Sequence, residues 1–584
     1  MSARFTPALF CLLAGTARAS DWYVDQSFTS CSQSDGSLAK PYCTIGGAVA
    51  VAAGGDTIHI APGTYFELIT ATIDLNFVGT QGAATTIIDG ANTSITMVVS
   101  SGASVTVTGL TFHAAYKPPP YVGAAIQGGH ASVALADCVF DSNRGGVAVE
   151  YCALTVDRCV FTGNVNSGAG GAINTAFGTV AIRDSLFEKN VGSGGAVVIT
   201  HATQATLDRC VFHANEASGM YYGGGVGGGL AGEDVAVTDC LFDSNTIPVF
   251  GYGGGAAISG TSTLTRCRFV ANSVTSSNGS AVSAGGGLWI LEGTTSLIDC
   301  EIVGNICTTG TNGVGGHGGG VLVGGSFAAT ADFLRCTIAG NRADGPGTVT
   351  YGGAGGGVYV DTYKVNTVTL EETIVTDNFT ADTTRGPDVD GAATTNDWNV
   401  IGNTFGLTLT GSGPHDLLDV DPLLTDPANG DGSLQPTSPC IDSGDPASAP
   451  GGLDVAGVPR VLDGDLDRVM VLDRGAREFD NVLFTITGPA TPGGSLTFDT
   501  NGTSGLALLM IVGVAESERT VRPFGGLFVD LAFPFVIVPW GTIPDSRQLS
   551  IPPTFPTPTT VMLQEIALTG PTGNFSNFVS LTIE

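Results

Sequence analysis

Between Asp137 and Asn378 one short arrangement of apolar and polar positions returns nine times. Asp137-Cys138-Val139-Phe140 leads to Asn143, Arg158-Cys159-Val160-Phe161 to Asn164, and Asp184-Ser185-Leu186-Phe187 to Asn190. Arg209-Cys210-Val211-Phe212 leads to Asn215, Asp239-Cys240-Leu241-Phe242 to Asn245, and Arg266-Cys267-Arg268-Phe269 to Asn272. Asp299-Cys300-Glu301-Ile302 to Asn305, Arg335-Cys336-Thr337-Ile338 to Asn341, and Glu372-Thr373-Ile374-Val375 to Asn378 complete the series. Three places before the cysteine position stands an apolar residue every time: Leu135, Val156, Ile182, Leu207, Val237, Leu264, Leu297, Phe333 and Leu370. The spacing inside the pattern is fixed, whereas successive copies lie from 21 (Asp137 to Arg158) to 37 (Arg335 to Glu372) residues apart. Fixed strands joined by connections of variable length predict a solenoid, with three inward rows of stacked side chains.

The leading charge alternates in sign without a break along Asp137, Arg158, Asp184, Arg209, Asp239, Arg266, Asp299, Arg335 and Glu372. If successive copies stack as neighbouring parallel strands, each charge sits between two opposite ones and the column helps to set register. The asparagine column predicts a ladder of amide hydrogen bonds between coils. Each repeat also carries a glycine pair or triplet before a second strand, as in Gly170-Gly171-Ala172-Ile173, Gly285-Gly286-Gly287-Leu288-Trp289-Ile290 and Gly355-Gly356-Gly357-Val358-Tyr359-Val360. Glycine there lets the backbone bend and approach the next coil. Length varies mainly between the asparagine and the glycines, so insertions project from one edge, where a solenoid usually places its binding surface.

Ahead of the repeats, 20–66 reads as an N-terminal cap and first coil, in which 43–53 is a short helix that covers the open end, followed by a strand from Asp56. Short strands continue through 67–135, and the solenoid is expected to span 67–400 with a closing region at 401–480. The remaining 481–584, with proline-interrupted apolar runs, reads as a small β-sandwich. The fold class expected is therefore all-β: a right-handed parallel β-helix with an N-terminal helical cap and a C-terminal β-sandwich.

Composition fits this. Glycine at 86 of 584 residues and 13% charged residues accompany 43% hydrophobic residues, which suits β-structure with tight turns rather than disorder. Residues 1–19 read as a signal peptide, with Arg4, a short apolar run and Ala17-Arg18-Ala19 before Ser20. No later segment is apolar enough to span a bilayer as a helix, so an exported protein without a transmembrane segment is expected, placed outside the cell or on its outer surface. The net charge of −31 argues against nucleic acid and anionic membrane as partners and leaves glycans and cell-surface proteins open.

Export permits disulfides, and Cys31 with Cys43 reads as a local staple. The column cysteines read as small buried hydrophobes, because Ser185 and Thr373 replace them without breaking the pattern.

Phe161-x-x-Asn164 with Gly170-Gly171-Ala172-Ile173 resembles the repeat of the chlamydial polymorphic outer-membrane proteins, and more broadly the β-helix of the pectate-lyase-like superfamily. The segments Gly55-Asp56-Thr57-Ile58, Pro62-Gly63-Thr64-Tyr65, Asp419-Val420-Asp421-Pro422 and Ser438-Pro439-Cys440-Ile441-Asp442 resemble bacterial secreted proteins with a choice-of-anchor Q domain. The chlamydial proteins end in a membrane barrel, for which the residues after Asp480 are too few. These likenesses imply the fold and say little about activity.

Three candidate chemistries follow from particular residues. Gly316-His317-Gly318 matches a fragment of polygalacturonases, but the paired aspartates of inverting hydrolysis are missing from its neighbourhood, so His317 is expected in an exposed loop. A lyase would need a calcium-binding carboxylate cluster and a basic residue, whereas four arginines (158, 209, 266, 335) already belong to the alternating column. Asp463, Asp465 and Asp467, with Asp473 nearby, have the alternation of a calcium loop and are the candidate structural metal site; no other cofactor is expected. On the insertion-bearing edge, Tyr221, Tyr222, Phe250, Tyr252, His317 and Tyr351 are the candidate ligand-binding residues. Val139, Val160, Leu186, Val211 and Leu241, one place after the column cysteine, form an apolar stripe expected to face outward and to be covered by another domain or a partner. The function expected is non-catalytic adhesion or glycan binding, and the alternative is a carbohydrate-active enzyme acting on an acidic polysaccharide.

Overall fold

A computed structural model describes residues 19–116, 124–218, 229–248, 251–276, 284–309, 316–344, 353–411, 413–448, 450–458, 460–462, 464 and 470–479. Within 483–583 it describes the backbone of the strands. The chain winds into a right-handed parallel β-helix whose strands form three parallel sheets of 23, 14 and 8 strands. One coil shows the plan. Val147–Asp157 lies in the long sheet, Val160–Thr162 in the second and Val165–Asn166 in the third, before Ile173–Arg183 begins the next turn.

The predicted inward rows are in register. Phe112, Phe140, Phe161, Phe187, Phe212, Phe242 and Phe269 stack with ring centroids 4.5–5.0 Å apart, and Ile302, Ile338 and Val375 continue the row. The Leu135-to-Leu370 row and the column cysteines complete one continuous apolar core. Those cysteines are free thiols.

Single left-handed residues turn the chain at each corner. All nine members of the charged column occupy this conformation, with φ between 49° and 55°. A side chain there costs about 1 kcal/mol or more relative to glycine, so something at the corner must offset it. Arg158 Nε and Nη2 bond the two oxygens of Asp137 at 2.9 and 3.0 Å. Arg209 holds Asp184 (2.7 and 2.8 Å) and Arg266 holds Asp239 (2.6 and 2.8 Å) in the same way. The column is therefore a series of coil pairs rather than an unbroken chain in which every charge serves both neighbours. The guanidinium fork is consumed by one carboxylate, and the spare nitrogen of Arg158 and of Arg209 turns to the aspartate immediately before it, Asp157 or Asp208. Arg335 comes nearest to the expected arrangement, with Asp299 at 2.7 Å and Glu372 at 3.6 Å.

The asparagine ladder forms as expected. Each Nδ2 donates to the Oδ1 of the next asparagine at 2.9–3.0 Å from Asn143 through Asn378. It also donates to a carbonyl of the coil before, as Asn164 does to Phe140 at 2.9 Å. At corners within the long sheet, His130, Tyr151, Phe177 and His201 stack at 4.7–5.0 Å, and Tyr151 and Phe177 are exposed. No pattern in the sequence singled out that column.

The cap helix is shorter than expected, Ile45–Val49, because Gly46 and Gly47 weaken it and its first N–H groups depend on the Glu67 carboxylate. Ile45 and Ala48 are buried against the first coil. A disulfide joins Cys31 and Cys43, with Cα atoms 5.7 Å apart.

At the other end the coils finish with Val400–Ile401 against Leu417–Leu418. The described residues between 424 and 479 then fold back over the outer face of the second sheet, where Leu424, Leu434 and Cys440 bury Val303, Ala339, Ile374 and Val400. Beyond them the strands pair antiparallel, with Ala507–Gly513 between Phe535–Thr542 and Thr559–Thr569. No helix among the described residues is long and apolar enough to cross a membrane.

Candidate functional site

Glycine sets the geometry of the most chemically varied face. In the later coils Gly253, Gly285, Gly318 and Gly355 each adopt φ between 62° and 78°, immediately after Tyr252, Ala284, His317 and Ala354. A Cβ on Gly318 would lie 2.4 Å from the Val321 carbonyl oxygen, so the bend admits glycine alone. The four residues before these glycines bridge in parallel as one column. Across the bend runs a second column on the outer side of the long sheet: Ala257, Trp289, Leu322, Tyr359 and Asp390.

The two columns interleave by size. The Tyr252 ring packs on Trp289 of the following coil at 4.4 Å, and His317 stacks on Tyr359 of the following coil at 4.6 Å. Ala284 and Ala354 leave room in one column where Trp289 and Tyr359 are large in the other. Trp289 is fixed by its Nε1 donating to the Gly324 carbonyl at 2.8 Å. The corners that follow these strands expose Phe327 and Tyr363.

His317 is thus half-buried in a ring stack and not, as its flanking glycines suggested, exposed in a loop. Burial, reinforced by the nearby Arg385 charge, lowers its pKa to about 4, so the imidazole is neutral at pH 7. Burial and the Asp361 charge raise the phenols of Tyr252 and Tyr359. The guanidinium of Arg385 lies 6.0 Å from the Tyr359 ring centre and contacts Asp390. Among the described residues, His317 Nδ1 and Arg385 Nε are buried without a hydrogen-bond partner. Buried polar atoms are seldom left so, and both lie beside the same aromatic face. The partly exposed, uncharged rings of Tyr252, His317 and Tyr359 suit the C–H faces of a sugar.

Of the candidate ligand-binding residues, Tyr252 and His317 therefore fall on one face. Tyr221, Tyr222, Phe250 and Tyr351 lie outside the described residues, as do Asp463, Asp465 and Asp467. Asp473 is buried, and its two carboxylate oxygens accept from the backbone N–H groups of Asp442 and Phe479. Among the described residues no group of three or more His, Cys, Asp or Glu is placed to hold a metal ion.

Trp289, Tyr359, Asp361, Arg385 and Asp390 did not stand out in the sequence. A signal existed for the first two. After a glycine triplet the middle residue of Leu288-Trp289-Ile290 or Val358-Tyr359-Val360 must point away from the solenoid core, so an aromatic there marks the outer face, where Trp289 is itself buried in a small cluster with Ala257, Ala284 and Leu322. Asp390 continues the Trp289–Tyr359 column as a charged residue, and Asp361 and Arg385 come from outside that column and share no spacing.

Residues 123–307 match the sequence profile of a family described as the right handed beta helix region. No curated protein matches the chain. Among solved structures, pectate lyase Pel9A is similar at 12% identity, covering 80% of this chain and 97% of its own, with a TM-score of 0.24. A rhamnogalacturonan lyase is similar at 13% identity, covering 68% of this chain and 87% of its own, with a TM-score of 0.18. A pectin methylesterase in complex with hexasaccharide VII is similar at 11% identity, covering 72% and 99%, with a TM-score of 0.15.

Proposed function

We propose that this chain is an exported, non-catalytic β-helix scaffold that binds a glycan on the outer face of its later coils. The reading rests on one arrangement: Tyr252, Trp289, His317 and Tyr359 interleaved on a single face, with Arg385 and Asp390 at its border. The partly exposed rings of Tyr252, His317 and Tyr359 present apolar area at low entropic cost, and the Arg385 guanidinium beside Tyr359 supplies direction. A uronate-containing polysaccharide suits this chemistry, its ring faces meeting the aromatics and its carboxylate meeting Arg385. Adhesion at a cell surface is the role such a scaffold would serve.

A panel of uronate polysaccharides, incubated with the protein with and without calcium, tests this reading. Saturable binding without new unsaturated ends supports it. Unsaturated products that vanish on chelation would instead make the protein a lyase.

A further inference from the structure

The outer face of the second sheet changes character along the solenoid. At the position after the column cysteine, Glu301, Thr337 and Ile374 are buried under residues 424–479. In the earlier coils the same position holds Val139, Val160, Leu186, Val211 and Leu241, and all five are partly exposed. This apolar stripe lies between two charged columns. On one side run the corner pairs from Asp137 to Arg266. On the other run His113, Asp141, Thr162, Glu188, His213 and Asp243, in which both histidines are paired to aspartates at 2.9 Å. An apolar strip with a polar border has the composition of an interface.

The path of the chain indicates what covers it. Arg474 Nη1 bonds the carbonyl of Asn399, Gly475 N that of Glu372, Ala476 N the hydroxyl of Thr337, and Arg477 the carboxylate of Glu301. Each residue moves back by one coil, toward the uncovered stripe, and Gly430 already touches Val270 and Arg268 at its border. Phe479 packs on the same covered face, and the first strand of the C-terminal domain begins at Leu483. Four residue steps span at most about 14 Å, or about three coils at ~4.8 Å each.

We infer that the antiparallel C-terminal domain, Leu483 to Ile583, docks along the Val139–Leu241 stripe and extends the cover made by 424–479. The short tether holds the domain at high local concentration over this face, so a modest contact area suffices.

The test uses the full chain. Val160→Lys with Leu186→Lys is expected to lengthen the particle in solution scattering and to speed proteolysis between 479 and 483, with the thermal unfolding of the solenoid retained. Val165→Lys, on the third sheet of the same coil, is expected to change neither. A second measurement leaves the stripe intact: a photocrosslinker on Thr162→Cys, the native thiols among the described residues being buried, is expected to label peptides within 483–583. Scattering and proteolysis indistinguishable from the unaltered chain, or crosslinks confined to the solenoid, would overturn the inference. So would a dimer that the lysines dissociate, because a second copy would then occupy the stripe.

Discussion

Asn378 Nδ2 donates to Asp388 Oδ1 at 2.9 Å, so the amide ladder of the solenoid ends on a carboxylate. The same Oδ1 accepts from the Asn378 backbone N–H, and Oδ2 accepts from the Asn403 N–H at 2.7 Å. Every rung before it is an asparagine that gives and receives in one direction along the axis. The last rung must accept only, and a carboxylate does that without an idle donor.

Removing a middle rung tests how far the ladder holds the coils. Asn245→Ala deletes the donor to Phe212 and the acceptor used by Asn215, leaving buried groups unsatisfied. A loss of about 1–3 kcal/mol is expected, read from the midpoint of denaturant-induced unfolding.

The last rung predicts a pH dependence. Burial pushes Asp388 from 3.8 up to about 7, and burial likewise pushes Glu478 from 4.5 up to about 7. A carboxyl whose pKa is raised on folding binds more protons in the native state between those values, so stability falls as pH rises through that window. Thermal midpoints measured from pH 5 to 8 should therefore decline toward the alkaline side. Asp388→Asn, which cannot titrate, should flatten part of that slope.

The closing segment is fastened by a buried ionic contact. Glu301 is fully buried and receives Arg477 at 2.6 and 2.9 Å and Arg268 at 2.7 Å. Against the burial that would raise it, the two arginines hold its carboxyl below the ordinary value. Arg477→Ala should destabilise the protein by about 3 kcal/mol, because it leaves the buried Glu301 carboxylate with Arg268 as its one remaining cationic partner. Adding Glu301→Leu should recover most of that loss, and a double-mutant cycle in urea reads both.

The column cysteines should behave as packing groups. All ten free thiols among the described residues are buried, so a thiol reagent should label them only when the solenoid unfolds. Cys210→Ser should be mild, about 1 kcal/mol, since Ser185 already fills this position by donating to the Arg183 carbonyl and accepting from Cys159 N–H. Labelling kinetics under native conditions and the unfolding midpoint check the two expectations.

Sequence periodicity was enough to read the fold because each row repeats a requirement that its neighbours share. Phe161 stacks on Phe140 and Phe187, and Asn164 bonds Asn190, so one rule shows nine times. That Arg158 serves Asp137 and no second member of the column was not readable, since alternation of sign is the same whether a guanidinium serves one column carboxylate or two. The aromatic face was only partly readable for a related reason. Tyr252 and His317 stood out as unusual residues on the variable edge, but their partners Trp289 and Tyr359 sit in strands that otherwise look like core, and Arg385 reaches the face from a corner outside the repeat.

Glycan binding by the aromatic face is measured most directly by affinity electrophoresis of the full chain through gels containing a uronate polysaccharide, compared with Tyr359→Ala. Tyr359 is partly exposed at the centre of the face, and its ring is the one that His317 and Arg385 share. Retardation of the unaltered protein, its loss in Tyr359→Ala with the fold retained, and no unsaturated product in the gel are expected. Equal retardation of both proteins, or product formed by the unaltered chain, would contradict non-catalytic binding at this face.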